Sequence, residues 1–455
     1  MKNSFVVKEL ALALLGVLLL APWAPAQEKL SLEQAVRKAL ESNPELAIDV
    51  PARAAAGSEQ AASKAGYRPR IDFEQSVLGG NNPVYVFGTL LTQRNFTAAD
   101  FALPSLNTPD PLANLQTRIT AQQNIWDFGR TRQRVEAARL GMEMTDLGHD
   151  DHVRQTLLAV AEAYYAISLA RASQEAAKTA LASAEAMVAQ AQSRVESGLA
   201  VEADHLRGQV YLASARQQQI QAQGQEAMAR AQLNRLMGLP LDSPSGETAP
   251  LTRAVYQLPS EDALAAELRK RRPDYQLLQD EVRQAELEER GKKSQFYPTL
   301  GAFATWEADN PSLKEAGGSN WLAGLSLRWN IYAGGSDAAL LQASRQRLEQ
   351  KRRQLRAMES SMTLEVHQAL IRVRSAEQQV LAMQASEAQS QESLRILQNR
   401  YDAGLATMTD LLSAEAARSA ARTALAEAIY RHRLSYAQLE YAAGTLAPES
   451  PAIVK

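Results

Sequence analysis

The chain has no cysteine. That excludes disulfides, thiol chemistry and a lipidated N-terminal cysteine, so any hold on a membrane must come from the fold itself. Aromatic residues make up only 6% of the 455 positions, and much of the apolar content is alanine. Such a composition suits thin helix-on-helix packing better than a thick globular core. The net charge of −2 supplies no basic field to draw nucleic acid. Long apolar runs are also missing, apart from Leu10 to Leu20, which falls short of the roughly 20 residues a membrane helix needs. With Lys2 and Lys8 before that run and Ala24-Pro25-Ala26 after it, residues 1–26 read as a secretory signal cleaved ahead of Gln27. No phosphate loop, catalytic triad or metal-ligand cluster is visible. An enzyme is therefore not expected, nor a cofactor, nor a bound metal.

What the chain does contain is a duplication. Arg194-Val-Glu-Ser-Gly198-Leu199-Ala200 ahead of Asp204 recurs as Arg400-Tyr401-Asp-Ala-Gly404-Leu405-Ala406 ahead of Asp410, 206 positions on. The same offset pairs Asn124-Ile125 with Asn330-Ile331, Gly129 with Gly335, and Gly238 with Gly444. A single offset over such a length makes the chain two copies of one architecture.

Taken in order, residues 27–240 form the first repeat. Ser31 caps a short amphipathic helix, Asn43-Pro44 interrupts it, and a second helix leads to a β-hairpin at about 70–126. The hairpin strands alternate apolar and polar residues around a Pro/Gly-rich stretch that reads as a loop. A proline-free run at about 130–197 then predicts one helix of roughly 100 Å. The Gly198 turn follows, and a return helix at about 204–236. Residues 241–259 are a linker. The second repeat, 260–447, replays the order: a hairpin at about 299–332, a long helix at about 336–403, a return helix at about 410–443, and then a tail, 448–455.

The strands have the length of tilted membrane β-structure. Trp126, Trp306, Trp321 and Trp329 all lie in or at the ends of strands, as interfacial aromatics do. A soluble sheet with tryptophan in its core is the alternative. Four strands cannot close a barrel, and an open edge in lipid leaves backbone groups unsatisfied. Closure therefore demands a homo-oligomer, and three chains would supply twelve strands. The helices, studded with Arg, Glu and Gln, require water.

On these marks the chain resembles the TolC family of outer-membrane efflux proteins over nearly its whole exported length. The marks are Leu30-Ser-Leu-Glu-Gln-Ala35 with Asn43-Pro44, the Tyr/Pro strand entries at 67–69 and 297–298, the exits Ile125-Trp-Asp-Phe-Gly129 and Ile331-Tyr-Ala-Gly-Gly335, and the paired Gly-Leu-Ala turns. The resemblance implies a mainly α protein with a membrane β-barrel portion. Three chains would form a 12-stranded barrel in outer-membrane lipid, continuous with a periplasmic α-helical barrel. It further implies a periplasmic adaptor and an inner-membrane pump of the RND type as partners. The function implied is the exit duct of a tripartite efflux system. Type I protein secretion or metal efflux through the same duct is the alternative, and a periplasmic helical scaffold without a channel is the alternative of another class.

The resemblance also places Asp204 and Asp410 at the periplasmic entrance and Tyr401 in its lock. Helix capping is the competing reading of the aspartates, because Thr407-x-x-Asp410 has the pattern of a capping box. Ala406 and Ser413 stand where some relatives carry an arginine and a further aspartate. Gly198, Leu199, Ala200 and Gly404, Leu405, Ala406 are helix-ending turns and, by resemblance, the surface an adaptor meets. His149 and His152, at i, i+3 on a helix, have the spacing of a metal pair, but they read as part of a solvated helix face, since the other repeat has Leu355 and Met358 there.

Overall fold

A computed structural model describes residues 30–244 and 246–454. The segment expected to be a cleaved signal lies outside the described residues. The elements run α1 (Leu32–Ser42), α2 (Pro44–Ala47), α3 (Asp49–Ser63), β1 (Arg70–Gly80), α4 (Pro83–Thr92), α5 (Leu103–Asn107), β2 (Leu112–Trp126), α6 (Arg130–Glu196) and α7 (Glu202–Leu236). There follow α8 (Glu261–Arg271), α9 (Pro273–Ser294), β3 (Thr299–Asn310), β4 (Gly318–Arg328), α10 (Ser336–Asp402), α11 (Met408–Ala443) and α12 (Pro451–Val454). No described helix is long and apolar enough to cross a membrane.

The chain divides into two compact units. One holds Ala47–His152 and Leu268–Leu364, the other the residues up to Leu46, Val153–Glu267 and those from Glu365. Each long helix, α6 and α10, therefore gives its first part to the strand-bearing unit and the rest to the helical one.

In the strand-bearing unit the four strands form one antiparallel sheet in the order β1-β2-β3-β4. Register aligns Phe73, Ile119, Trp306 and Trp321 in one row across all four strands. Side chains alternate along a strand, so this row lies on an apolar face with Ile71, Leu115, Leu300 and Leu325. Phe73 is 68% exposed and Trp321 78%. The opposite face is polar. There Arg118, held 2.9 Å from Glu307 and 3.7 Å from Glu74, ties three strands together. A register shift between Asn124 and Trp126 precedes the last β2–β3 pair, Trp126 with Leu300.

The segment between β1 and β2 differs from the expected loop, for it contains α4 and α5. Asn82 accepts the Val84 and Tyr85 amides at 3.0 and 3.2 Å, and Pro83 supplies a preset first helical residue. Asn-Pro was present in the sequence; its Pro/Gly-rich surroundings masked the start signal.

The helical unit is built on alanine. Ala35, Ala39, Ala161, Ala184, Ala191 and Ala437 are wholly buried, letting helices approach closely. Between them sit full-size anchors such as Leu157 and Leu233, each about 2–5 kcal/mol to truncate to alanine. Ser31 and Gln34 form the capping box that starts α1. Asn43 ends it, giving its side-chain amide to the Leu236 carbonyl (3.0 Å) and accepting the Glu45 N–H (2.7 Å).

Candidate functional site

Both helix pairs of the helical unit turn in the same way. Gly198 has φ +72° and Gly404 +74°, the left-handed region that side chains disfavour. In each turn the amide after glycine reaches back to an arginine carbonyl: Leu199 to Arg194 at 2.8 Å and Leu405 to Arg400 at 2.7 Å. These are Schellman closures. They push Leu199 (76% exposed) and Leu405 (69%) into solvent. Ala200 and Ala406 are half-buried, Ala406 against the core beneath.

That core is made by Met187, Ala191, Tyr401, Met408 and Leu411. Tyr401 is therefore buried, and Arg194 of the first repeat covers its ring. The Arg194 guanidinium also donates to the Tyr401 carbonyl at 2.9 Å and the Asp402 carbonyl at 3.2 Å. Arg400, the equivalent in the second repeat, donates to the Leu405 carbonyl of its own turn, and its charge also acts on Asp410. The position equivalent to Tyr401 is Val195, so this contact has no symmetry mate.

The two aspartates also differ. Asp410 accepts the Thr407 N–H (3.0 Å) and hydroxyl (2.7 Å), while Thr407 Oγ1 accepts the Asp410 N–H (3.2 Å). The Thr407 hydroxyl, and then its backbone N–H, hold the Asp410 carboxyl below the usual carboxylate range. Asp204 has Val201 where a cap would be, and Val201 offers no side-chain bond. Its carboxylate pairs instead with Arg207 at 3.3 Å, and Arg207 touches Thr409 at 3.3 Å. Asp410 caps a helix and Asp204 does not.

The tryptophans occupy two levels of the sheet. Trp126 pairs in register with Leu300, near the helical end, where it meets Phe128, which stacks on Tyr297. Trp329, just past β4, donates to the Phe296 carbonyl at that same end. Trp306 and Trp321 lie directly opposite each other, six residues along from Leu300, or about 20 Å at 3.3 Å per residue.

His149 and His152 are 27% and 55% exposed, yet both have a partner on that face. Both Nδ1 atoms lie 3.0 Å from the carboxylate of Asp49, at the start of α3. Burial pushes the Asp49 pKa up, but hydrogen bonds from the two imidazoles outweigh it and hold the group below its ordinary value. The partner lies a hundred positions earlier, so periodicity within α6 gave no sign of it.

Among known proteins, residues 35–239 and 264–445 match the family model described as outer membrane efflux protein. The chain is 25% identical over 341 residues to the alkaline protease secretion protein AprF of Pseudomonas aeruginosa, covering 72% of this chain and 69% of that one. It superposes on the outer membrane protein VceC of Vibrio cholerae with a TM-score of 0.75 at 17% identity, over 91% of this chain and 96% of that one. The open-state MtrE outer membrane channel of Neisseria gonorrhoeae gives 0.74 at 19% identity, over 91% of both chains. The structural likeness covers about nine-tenths of the chain, and the family match spans both repeats: the chain belongs to the outer membrane efflux protein family, whose members are outer-membrane channels with a periplasmic helical portion.

Proposed function

We propose that three copies of this chain close a twelve-stranded barrel and pass substrates from a proton-driven, RND-type inner-membrane pump to the outside, through a periplasmic adaptor. The observation that carries this is the sheet. It has one exposed apolar face bearing Phe73, Ile119, Trp306 and Trp321, and it ends at two edge strands, β1 and β4. In lipid each unpaired backbone group costs several kcal/mol, so β1 of one copy must pair with β4 of the next. The two tryptophan levels then mark the membrane interfaces, and the polar face with Arg118 lines the lumen. On this reading the helices stand in the periplasm, the loops between strands face outward, and residues 1–26 are the export signal, removed before Gln27.

The tip turns, Gly198-Leu199-Ala200 and Gly404-Leu405-Ala406, supply the adaptor surface, because they end in exposed leucines. A groove of about 790 Å³ in the same unit, lined by small and amide side chains including Ala177, Gln221, Gln225 and Ala420, would accept a partner helix. Asp204 and Asp410 crowd the entrance, with Tyr401 and Arg194 behind them. Mass photometry in mild detergent tests the reading: a trimer is expected, and monomer as the sole species would remove the basis for a pore. The likeness to a protein named for protease secretion favours a second reading of the cargo, polypeptide rather than small molecules. Export assays with each candidate pump deleted separate the two.

A further inference from the structure

Phe128 holds a backbone conformation that a bulky side chain rarely takes, with φ +53°. Its ring stacks on Tyr297 (4.8 Å between centroids) and meets Trp126 edge-on (5.9 Å). Trp126 pairs in register with Leu300, which alternation puts on the same face as Trp306. Phe128 therefore prolongs the apolar face of the sheet past the strand ends. Beside it α6 and α9 enclose a cavity of about 640 Å³, with Leu140 and Leu287 in its wall.

The rest of that lining is charged, and unevenly: Arg132, Arg139, Arg283 and Arg290 stand against Glu136 and Glu286. Both glutamates are already engaged. Glu136 takes Arg139 at 2.6 Å, and Glu286 takes Arg352 of α10 at 2.8 Å. Arg283 turns to Asp280 at 2.8 Å. Arg132 and Arg290 are exposed and make no side-chain hydrogen bond or ion pair among the described residues. Glu136, held below the usual carboxylate range first by the bond from Arg139, feels Arg132 only as a charge at longer range. The duplication shows that long helices here do not demand these cations. Ala338 stands at the equivalent of Arg132, and Ala54 and Ala61 stand at those of Arg283 and Arg290, by the offset that pairs Pro69 with Pro298. Arg139, which is paired, keeps an arginine as its counterpart, Arg345.

Position decides what the two free guanidiniums would bind. Arg132 is two residues into α6 and Arg290 four residues before the end of α9, so each lies within about one turn, roughly 5 Å, of the helix end nearest the strands. A headgroup layer extends about 5–7 Å beyond the hydrocarbon on each side of a bilayer. At that depth, under an aromatic row, the anion within reach is a phosphodiester, and the guanidinium fork matches its oxygens. We propose that this cavity holds the phosphate of an anionic phospholipid of the periplasmic leaflet, with Arg132 and Arg290 as its ligands and its glycerol end against Phe128. The inference rests on the apolar face of the sheet lying in lipid, which flotation with liposomes tests separately.

Native mass spectrometry of the purified protein in mild detergent, mixed with equal amounts of phosphatidylglycerol and phosphatidylcholine, is the test. Wild type should retain phosphatidylglycerol in preference. A basic residue at an anionic lipid surface contributes about fivefold in binding, so Arg132→Gln or Arg290→Gln should each lower the preference about fivefold and both together about 25-fold. Arg132→Lys with Arg290→Lys should keep most of it. Arg353→Gln with Arg356→Gln, on an exposed stretch of α10, should leave it unchanged. Wild type that floats with liposomes yet binds the two lipids equally overturns the site and leaves the membrane reading intact. Wild type that does not float takes both down together. An equal loss from the α10 pair would mean a diffuse field and no site. Displacement of the lipid by inorganic phosphate at equal concentration would make this a free-phosphate site, which also overturns the proposal.

Discussion

The guanidinium of Arg194 lies 4.6 Å from the ring centroid of Tyr401, fastening the end of α6 to the end of α10. It adds two hydrogen bonds to backbone carbonyls. A cation–π contact at a partly exposed site contributes about 0.5–1 kcal/mol, and each charged hydrogen bond about 1.5–3 before exposure is discounted. Arg194→Ala should therefore release the second-repeat turn and raise single-channel conductance in planar bilayers. Arg400→Ala, which breaks no contact between the two helix pairs, should change it far less. Equal effects would mean that the lock is not where the asymmetry places it.

A second prediction uses the capping difference between the repeats. Thr407 has φ −90° and ψ 160°, and Val201 φ −94° and ψ 149°, so the two backbones are alike and only the hydroxyl differs. Thr407→Ala should cost about 1 kcal/mol at the start of α11, and Val201→Thr should gain a similar amount at the start of α7 by completing Thr-x-x-Asp with Asp204. Exchange protection of each first helical turn reads both. A Val201→Thr protein without added protection would show that Arg207 keeps Asp204 from turning back.

The aspartates proposed to line the entrance give a third. Three copies would set six like charges around one axis, which favours cations there. Replacing Asp204 and Asp410 with Ala should reduce cation preference and weaken block by divalent or trivalent cations added from the periplasmic side. Because the Thr407 hydroxyl and N–H lower the Asp410 pKa, selectivity should persist into mildly acid solution and fail only as pH drops through that lowered value. Wild-type selectivity in the double variant would reduce both residues to structural parts.

The fourth concerns Asp49. Its folded pKa lies below the usual value, so its contribution to stability is present above the unfolded carboxyl pKa and is lost as pH falls through the folded one. Wild type and Asp49→Asn should differ most in melting temperature near neutral pH and converge in strong acid. A difference that is constant with pH would show that shape, not charge, matters at His149 and His152.

The features legible in the sequence were those that repeat or alternate. Gly198 and Gly404 share an offset and nearly the same φ, and Phe73, Trp306 and Trp321 announce a face by alternation alone. What escaped depends on residues far apart in the chain. Asp49 reaches His149 across a hundred positions, Arg194 reaches Tyr401 across 207, and Asn114 reaches Asp309 across 195. None of these leaves a local trace, because a single buried polar pair imposes no period. The α4 helix was a different failure: its Asn-Pro start was local but short, and the prolines around it pointed the other way.

The long helices α6 and α10 each contain 67 residues. They act as a matched pair of rulers. One residue inserted in α6 alone would carry its turn 1.5 Å farther and swing it through about 100°. Arg194 would then face away from Tyr401, and the turn would meet its neighbours with the wrong side. Length in this chain can therefore change in phase only in paired steps near whole heptads. Engineering a longer duct thus comes down to counting: about seven residues in each ruler, matched by about seven in each return helix, add roughly 10 Å while keeping both turns in phase.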